Sequence, residues 1–98
     1  FTELLERYHK KEREIAFYAD KMCMTSKHLS QVIKDYTGKT ALGIIEEYVI
    51  SEAKSMLLST TMSIQQISDE LKFPSQSVFG KYFKRVAGIS PSEYRNRH

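Results

Sequence analysis

The chain has 98 residues, 41% hydrophobic and 28% charged, with a net charge of +3. That is enough apolar material for one compact domain, or two very small ones sharing a helix, and too much for a disordered segment. No apolar run approaches the roughly 18–20 residues a bilayer crossing needs, so no membrane partner is expected, and the single cysteine suits a reducing cytoplasm.

Taken in chain order, the pattern predicts an all-α fold of seven helices. Leu4, Leu5 and Tyr8 at helical spacing predict a first helix over about Glu3–Arg13, with Thr2 as its cap. Ile15, Tyr18, Ala19 and Met22 share one face of a second helix, about Ile15–Met22. Cys23-Met24-Thr25 makes a turn, Thr25 caps a third helix running to about Tyr36, and Gly38 stops it. Thr40 then caps a long fourth helix, about Ala41–Leu58, which at 1.5 Å per residue spans about 27 Å.

The second half starts with a capping box, Ser63 with Gln66, opening a fifth helix that should end near Lys72. Phe73-Pro74 breaks the pattern, and Ser75 caps a sixth helix to about Val86, with Val78, Phe79, Tyr82 and Phe83 turned inward. After Gly88, Ser90-Pro91-Ser92-Glu93 combines a serine cap, proline at the first helical position and glutamate three past the cap. A short seventh helix, about Pro91–Asn96, follows. No alternating apolar pattern between hairpin turns is present, so no sheet is expected.

The same small unit occurs twice. Ile15, Tyr18, Asp20 and Met22 align with Ile64, Ile67, Asp69 and Leu71 at an offset of 49 residues. Leu29–Lys34, Gly38 and Thr40 align with Phe79–Lys84, Gly88 and Ser90 at an offset of 50, so the second copy carries one extra residue between its helices. Two short helices joined by a tight turn, repeated once, look like a tandem helix-turn-helix and point to double-stranded DNA. The repeat divides the chain into a first unit at 2–39, a linker helix at 40–59 and a second unit at 60–98.

Charge placement agrees. Residues 72–98 hold Lys72, Lys81, Lys84, Arg85, Arg95 and Arg97 against Glu93 alone, while the rest of the chain is mildly acidic. A basic end beside an acidic remainder is an asymmetric field, for which nucleic acid is the commonest partner.

In a helix-turn-helix the second helix enters the major groove, and side chains near its start must donate, accept or touch a thymine methyl. With Leu29, Val32 and Ile33 inward, the outward residues of the third helix are Lys27, Ser30 and Gln31. With Phe79, Tyr82 and Phe83 inward, those of the sixth are Gln76, Ser77, Gly80 and Lys81. Gln31 and Gln76 suit paired bonds to adenine, Lys27 and Lys81 suit guanine, and Gly80 suggests close helix approach. Phosphates are expected at the caps Thr25, Ser63, Ser75 and Ser90 and at the cations Lys34, Lys84, Arg85 and Arg95. Each cap also has a plainer job, holding its own helix by about 1 kcal/mol. The aromatic stripe Phe73, Phe79, Tyr82, Phe83 and Tyr94 reads as core rather than as a stacking platform.

These residues resemble the AraC/XylS family of bacterial transcription regulators. The resemblance is carried by Ser63-Ile64-Gln65-Gln66-Ile67-Ser68, Leu71-Lys72-Phe73, Ser77-Val78-Phe79, Tyr82-Phe83-Lys84-Arg85 and Gly88-Ile89-Ser90-Pro91-Ser92-Glu93-Tyr94-Arg95. More weakly, it is carried by Tyr18-Ala19, Met24-Thr25, Leu29-Ser30, Ile33-Lys34, Thr37-Gly38 and the Glu52-Ala53-Lys54…Leu57-Leu58 pattern of the linker. It implies two helix-turn-helix units on a linker helix, reading adjacent major grooves about 34 Å apart. It also implies a further domain for ligand sensing or dimerisation, and a chain beginning at Phe1 fits a piece of a longer regulator. Cys23 and Lys72 stand where the family often has a turn glycine, Ser68 where it often has alanine, and Val49 where the linker often has arginine.

A second reading is a helical interaction module that does not read DNA, its Glu46-Glu47-Glu52 face contacting RNA polymerase or another domain. An enzyme is disfavoured: His9, His28 and His98 are scattered without metal-ligand spacing, no glycine loop cradles phosphate, and no cofactor is implied. His28 reads as a packing residue or a phosphate contact, and Cys23 as a small filler in its turn.

Overall fold

In a computed structural model that describes residues 1–98, the chain is all helical, as the periodicity predicts. The helices are α1 (Thr2–Tyr8), α2 (Ile15–Lys21), α3 (Ser26–Thr37), α4 (Ala41–Ser59), α5 (Ile64–Glu70), α6 (Gln76–Ala87) and α7 (Pro91–Arg97). None is long and apolar enough to cross a membrane. The chain divides into two compact units, Phe1–Tyr48 and Val49–His98, so α4 is shared between them.

The first unit buries Leu5, Tyr18, Ala19, Leu29, Ile33, Ala41 and Ile45. Thr25 caps α3 by accepting from the His28 amide at 3.1 Å, and Gly38 ends it with φ 75°. The first helix is shorter than predicted. It stops at Tyr8 instead of Arg13, and Thr2 lies inside it rather than capping it. His9 lies with Nδ1 2.6 Å from the Leu5 carbonyl, and the Tyr18 hydroxyl donates to the Glu12 carbonyl at 2.7 Å. That hydrogen bond draws residues 9–14 onto α2 as a loop, a tertiary contact overriding good helix formers.

Burial, reinforced by the nearby Glu12 carboxylate and opposed by Arg13, pushes the Tyr18 phenol up to about 12. Because the native state keeps a proton that the unfolded chain loses near pH 10, stability is unaffected below pH 10 and falls between pH 10 and 12. Thermal melts across that range should show the loss in wild type and a smaller one in Tyr18→Phe.

In the second unit Val49, Ile50, Ala53, Leu57, Ile67, Leu71, Phe73, Phe79 and Phe83 are buried. Val49 is fully buried and apolar, so at that position the linker serves the core and makes no polar contact. Phe79 lies 5.1 Å from Phe73 and 6.0 Å from Phe83, ring centre to ring centre, and Phe83 meets Tyr94 edge-on at 5.8 Å. The Ser63–Gln66 capping box is complete: Ser63 Oγ accepts from the Gln66 amide and Gln66 Oε1 from the Ser63 amide. The helix it opens ends at Glu70, two residues before Lys72, because Lys72 turns left-handed at φ 60°. Cys23 does the same at φ 57° in the first unit's turn, so both turns hold a side chain where glycine is cheapest.

Ser68 is fully buried and its hydroxyl has no hydrogen-bond partner. An unmade bond on a desolvated hydroxyl costs about 1–3 kcal/mol, and alanine is the better helix former. Ser68→Ala is therefore expected to stabilise the chain by about 1 kcal/mol, read as a higher urea midpoint at unchanged m-value.

Candidate nucleic-acid interface

Each unit presents the outer face of its second helix. On α3, Lys27 and Gln31 are exposed and Ser30 is half-buried, while Leu29 and Ile33 anchor the opposite side in the core. Gln31 Nε2 donates to Asp35 Oδ1 at 2.9 Å, one turn along the same face. Lys34 is exposed too, its Nζ donating to the Gly38 carbonyl at 2.9 Å, where a cation complements the carbonyl end of the helix. Beside this face runs a groove of about 440 Å³ lined by Ile15, Lys27, Ser30, Gln31, Lys34, Thr40, Ala41 and Leu42. A smaller one, about 350 Å³, is bounded by Thr25, Lys27, His28 and Gln31. The sequence-predicted set Lys27, Ser30, Gln31 and Lys34 thus lies together on one open surface.

On α6, Gln76, Ser77, Lys81, Lys84 and Arg85 are exposed and Gly80 is half-buried, with Phe79 and Phe83 beneath them. The Arg85 guanidinium carbon lies 5.1 Å from the centre of the Tyr82 ring, a cation–π approach that leaves the group at the surface. Four basic or amide groups therefore share the outer face of one helix: Gln76, Lys81, Lys84 and Arg85.

Val78 departs from the expectation. It is 44% exposed, because helical spacing sets it at the edge of the buried stripe rather than within it. The aromatic stripe is core at Phe73, Phe79 and Phe83, with Tyr82 and Tyr94 half-buried at its margin.

The predicted phosphate positions divide. All four cap hydroxyls are engaged by their own helices, accepting from the amides of His28, Gln66, Val78 and Glu93 at 3.1–3.2 Å. Ser90 in addition donates to Glu93 Oε1 at 3.2 Å, which sets a carboxylate at the start of α7. Arg95 is a correction. Its Nε donates to the Leu57 carbonyl at 2.9 Å and its Nη2 is buried, so it fastens α7 to the end of α4 rather than standing free for a phosphate. Lys34, Lys84 and Arg85 are the exposed cations of the predicted set.

Two minor expectations also change. His28 is exposed, which removes the packing alternative and not the phosphate one, and Cys23 is exposed at its turn, so it fills no space. Sequence reasoning missed the exposed apolar residues Tyr36, Leu42 and Leu58, at 88%, 47% and 48%, because all three fall on otherwise regular helical patterns.

Against known proteins, a family profile described as a helix-turn-helix domain matches residues 18–97. Over 82 residues the chain is 34% identical to the arabinose operon regulatory protein of Salmonella typhimurium, covering 84% of this chain and 29% of that protein. The chain therefore spans less than a third of the length of that relative. Among solved structures, the C-terminal domain of the two-component response regulator yesN from Fusobacterium nucleatum superposes with a TM-score of 0.88 at 22% identity, covering 96% of this chain and 92% of that one. The DNA-binding domain of AdpA, a global transcriptional factor solved in complex with a target DNA, superposes with a TM-score of 0.79 at 22% identity, covering 95% and 83%. With the profile spanning both helix pairs and the resemblance running through α5 to α7, the chain belongs to the AraC/XylS family of helix-turn-helix regulators.

Proposed function

We propose that this chain is the sequence-specific, double-stranded-DNA-binding part of a transcription regulator, with α3 and α6 each laid in a major groove. The observation that carries the reading is the outer face of α6: amide and cationic side chains held over a fully buried aromatic floor. A rigid floor fixes where those side chains point, which is what reading base edges requires. In this reading Lys27, Ser30, Gln31, Gln76, Ser77, Gly80 and Lys81 face bases. Lys34, Lys84 and Arg85 meet phosphates, while the caps at Thr25, Ser63, Ser75 and Ser90 chiefly order their own helices. The role is binding and not catalysis.

A sensing or dimerisation domain elsewhere in the regulator, contact with RNA polymerase and a cytoplasmic site of action belong to the same proposal. It is supported by the regulators that the chain resembles, of which the matched stretch is less than a third.

The test is salt dependence. Lys84→Ala should weaken binding to every duplex alike and lower the slope of log K against log salt by about 0.9, the signature of one lost phosphate contact. An unchanged slope for both Lys84→Ala and Arg85→Ala, or no DNA retained at low salt by the wild-type chain, refutes the assignment.

A further inference from the structure

The chain has four glycines, and three have a cause within the protein. Gly38 and Gly88 end α3 and α6 at φ 75° and 90°, where a side chain is strained. A Cβ on Gly43 would stand 2.9 Å from Thr40 Oγ1, the hydroxyl that caps α4. Gly80 has neither cause. It lies in the middle of α6 with ordinary helical backbone, and a Cβ built on it meets nothing within 4 Å. Glycine inside a helix is destabilising against alanine, so the fold bears a cost at this position that no internal contact explains.

The place is informative. Gly80 is half-buried, one turn from Gln76 and next to Lys81, at the margin of the exposed face of α6. Its counterpart at the repeat offset is Ser30 of α3, which carries a side chain on the same face. The two helices are thus built to different clearances.

We infer that Gly80 is a specificity-determining clearance: bound DNA occupies the volume a Cβ would fill, so that α6 seats deeper in its groove than α3 and its neighbours Gln76 and Lys81 reach base edges. This rests on the DNA-binding reading and deepens it. The glutamine amide of Gln76 makes a paired contact to a base only when the backbone is close, because both of its heavy atoms must come within about 3 Å. A closer backbone also lets Lys81 reach without full extension. A bare strip on the helix lets the backbone come closer by about the width of a methyl group.

The experiment measures two properties of Gly80→Ala with opposite expected signs. The free protein should melt higher by about 4 °C, since alanine favours the helix and nothing in the fold resists it. Against a duplex recovered by wild type from a random pool, affinity should fall about tenfold. Sites reselected by the variant should lose preference in the half read by α6 and keep it in the half read by α3. Ser30→Gly is the companion and should lower the melting temperature with no gain in affinity. A variant that melts higher yet binds and selects as wild type does overturns the inference, and so does one that melts lower. If wild type itself recovers no preferred sequence, the DNA-binding reading fails instead.

Discussion

Phe79→Ala should cost the protein about 3–5 kcal/mol, among the largest losses expected from any single truncation on α6. The ring is fully buried, touches Phe73 and Phe83 and sits directly under the exposed face of α6. Removing it opens a cavity that the neighbouring Phe73 and Phe83 rings, themselves held in the core, fill only in part. Domains of this size are stable by roughly 5–15 kcal/mol, so the loss is a large fraction of the total and the variant should melt well below wild type. Urea denaturation followed by circular dichroism measures the loss. Hydrogen exchange should assign it to α5, α6 and α7, because the first unit has its own buried set around Tyr18 and Leu29. A penalty below about 1 kcal/mol would mean that the aromatic layer is not what holds α6 in place.

The second large effect concerns recognition rather than stability. Lys81 is exposed on α6 with Phe79 and Phe83 anchoring the helix beneath it. An ammonium donating to guanine in the major groove discriminates by about 1–3 kcal/mol against another base. Lys81→Ala should therefore bind its preferred duplex about 10- to 100-fold more weakly while losing discrimination at one base pair only. The melting temperature should stay within about 2 °C, because an exposed lysine truncated to a good helix former costs the fold little. Competition between duplexes differing at single positions reads this directly. A loss spread equally over all sequences would make Lys81 a phosphate contact and move base reading elsewhere on the helix. Lys84→Ala should behave in that second manner, so the pair forms an internal control.

Much of this architecture is legible in the chain alone. Thr25, Ser63, Ser75 and Ser90 mark four helix starts to the residue, since a hydroxyl before an apolar-periodic stretch satisfies amides nothing else can reach. The repeat is visible because both units must bury the same few positions. The outer faces of α3 and α6 follow by subtraction from those buried positions. What stays hidden depends on contacts between distant parts of the chain. The loop after α1 is written in good helix formers and is drawn out of line by the Tyr18 hydroxyl reaching the Glu12 carbonyl. Arg95 reads as a surface cation, yet its partner is a carbonyl 38 residues earlier in the chain. Val78 lies on the border between two faces, where a helical period of about 3.6 residues does not decide between inside and outside.

If α3 reads DNA as proposed, the bond between Gln31 and Asp35 has a bearing on how quickly and how tightly it engages a duplex. A free glutamine side chain samples many rotamers and must surrender that freedom on contact, at about 0.5–1.5 kcal/mol. Here a neighbouring carboxylate has already taken one amide hydrogen, leaving the other and the carbonyl oxygen for a base edge. The glutamine arrives rehearsed, and part of the ordering has been completed before the encounter.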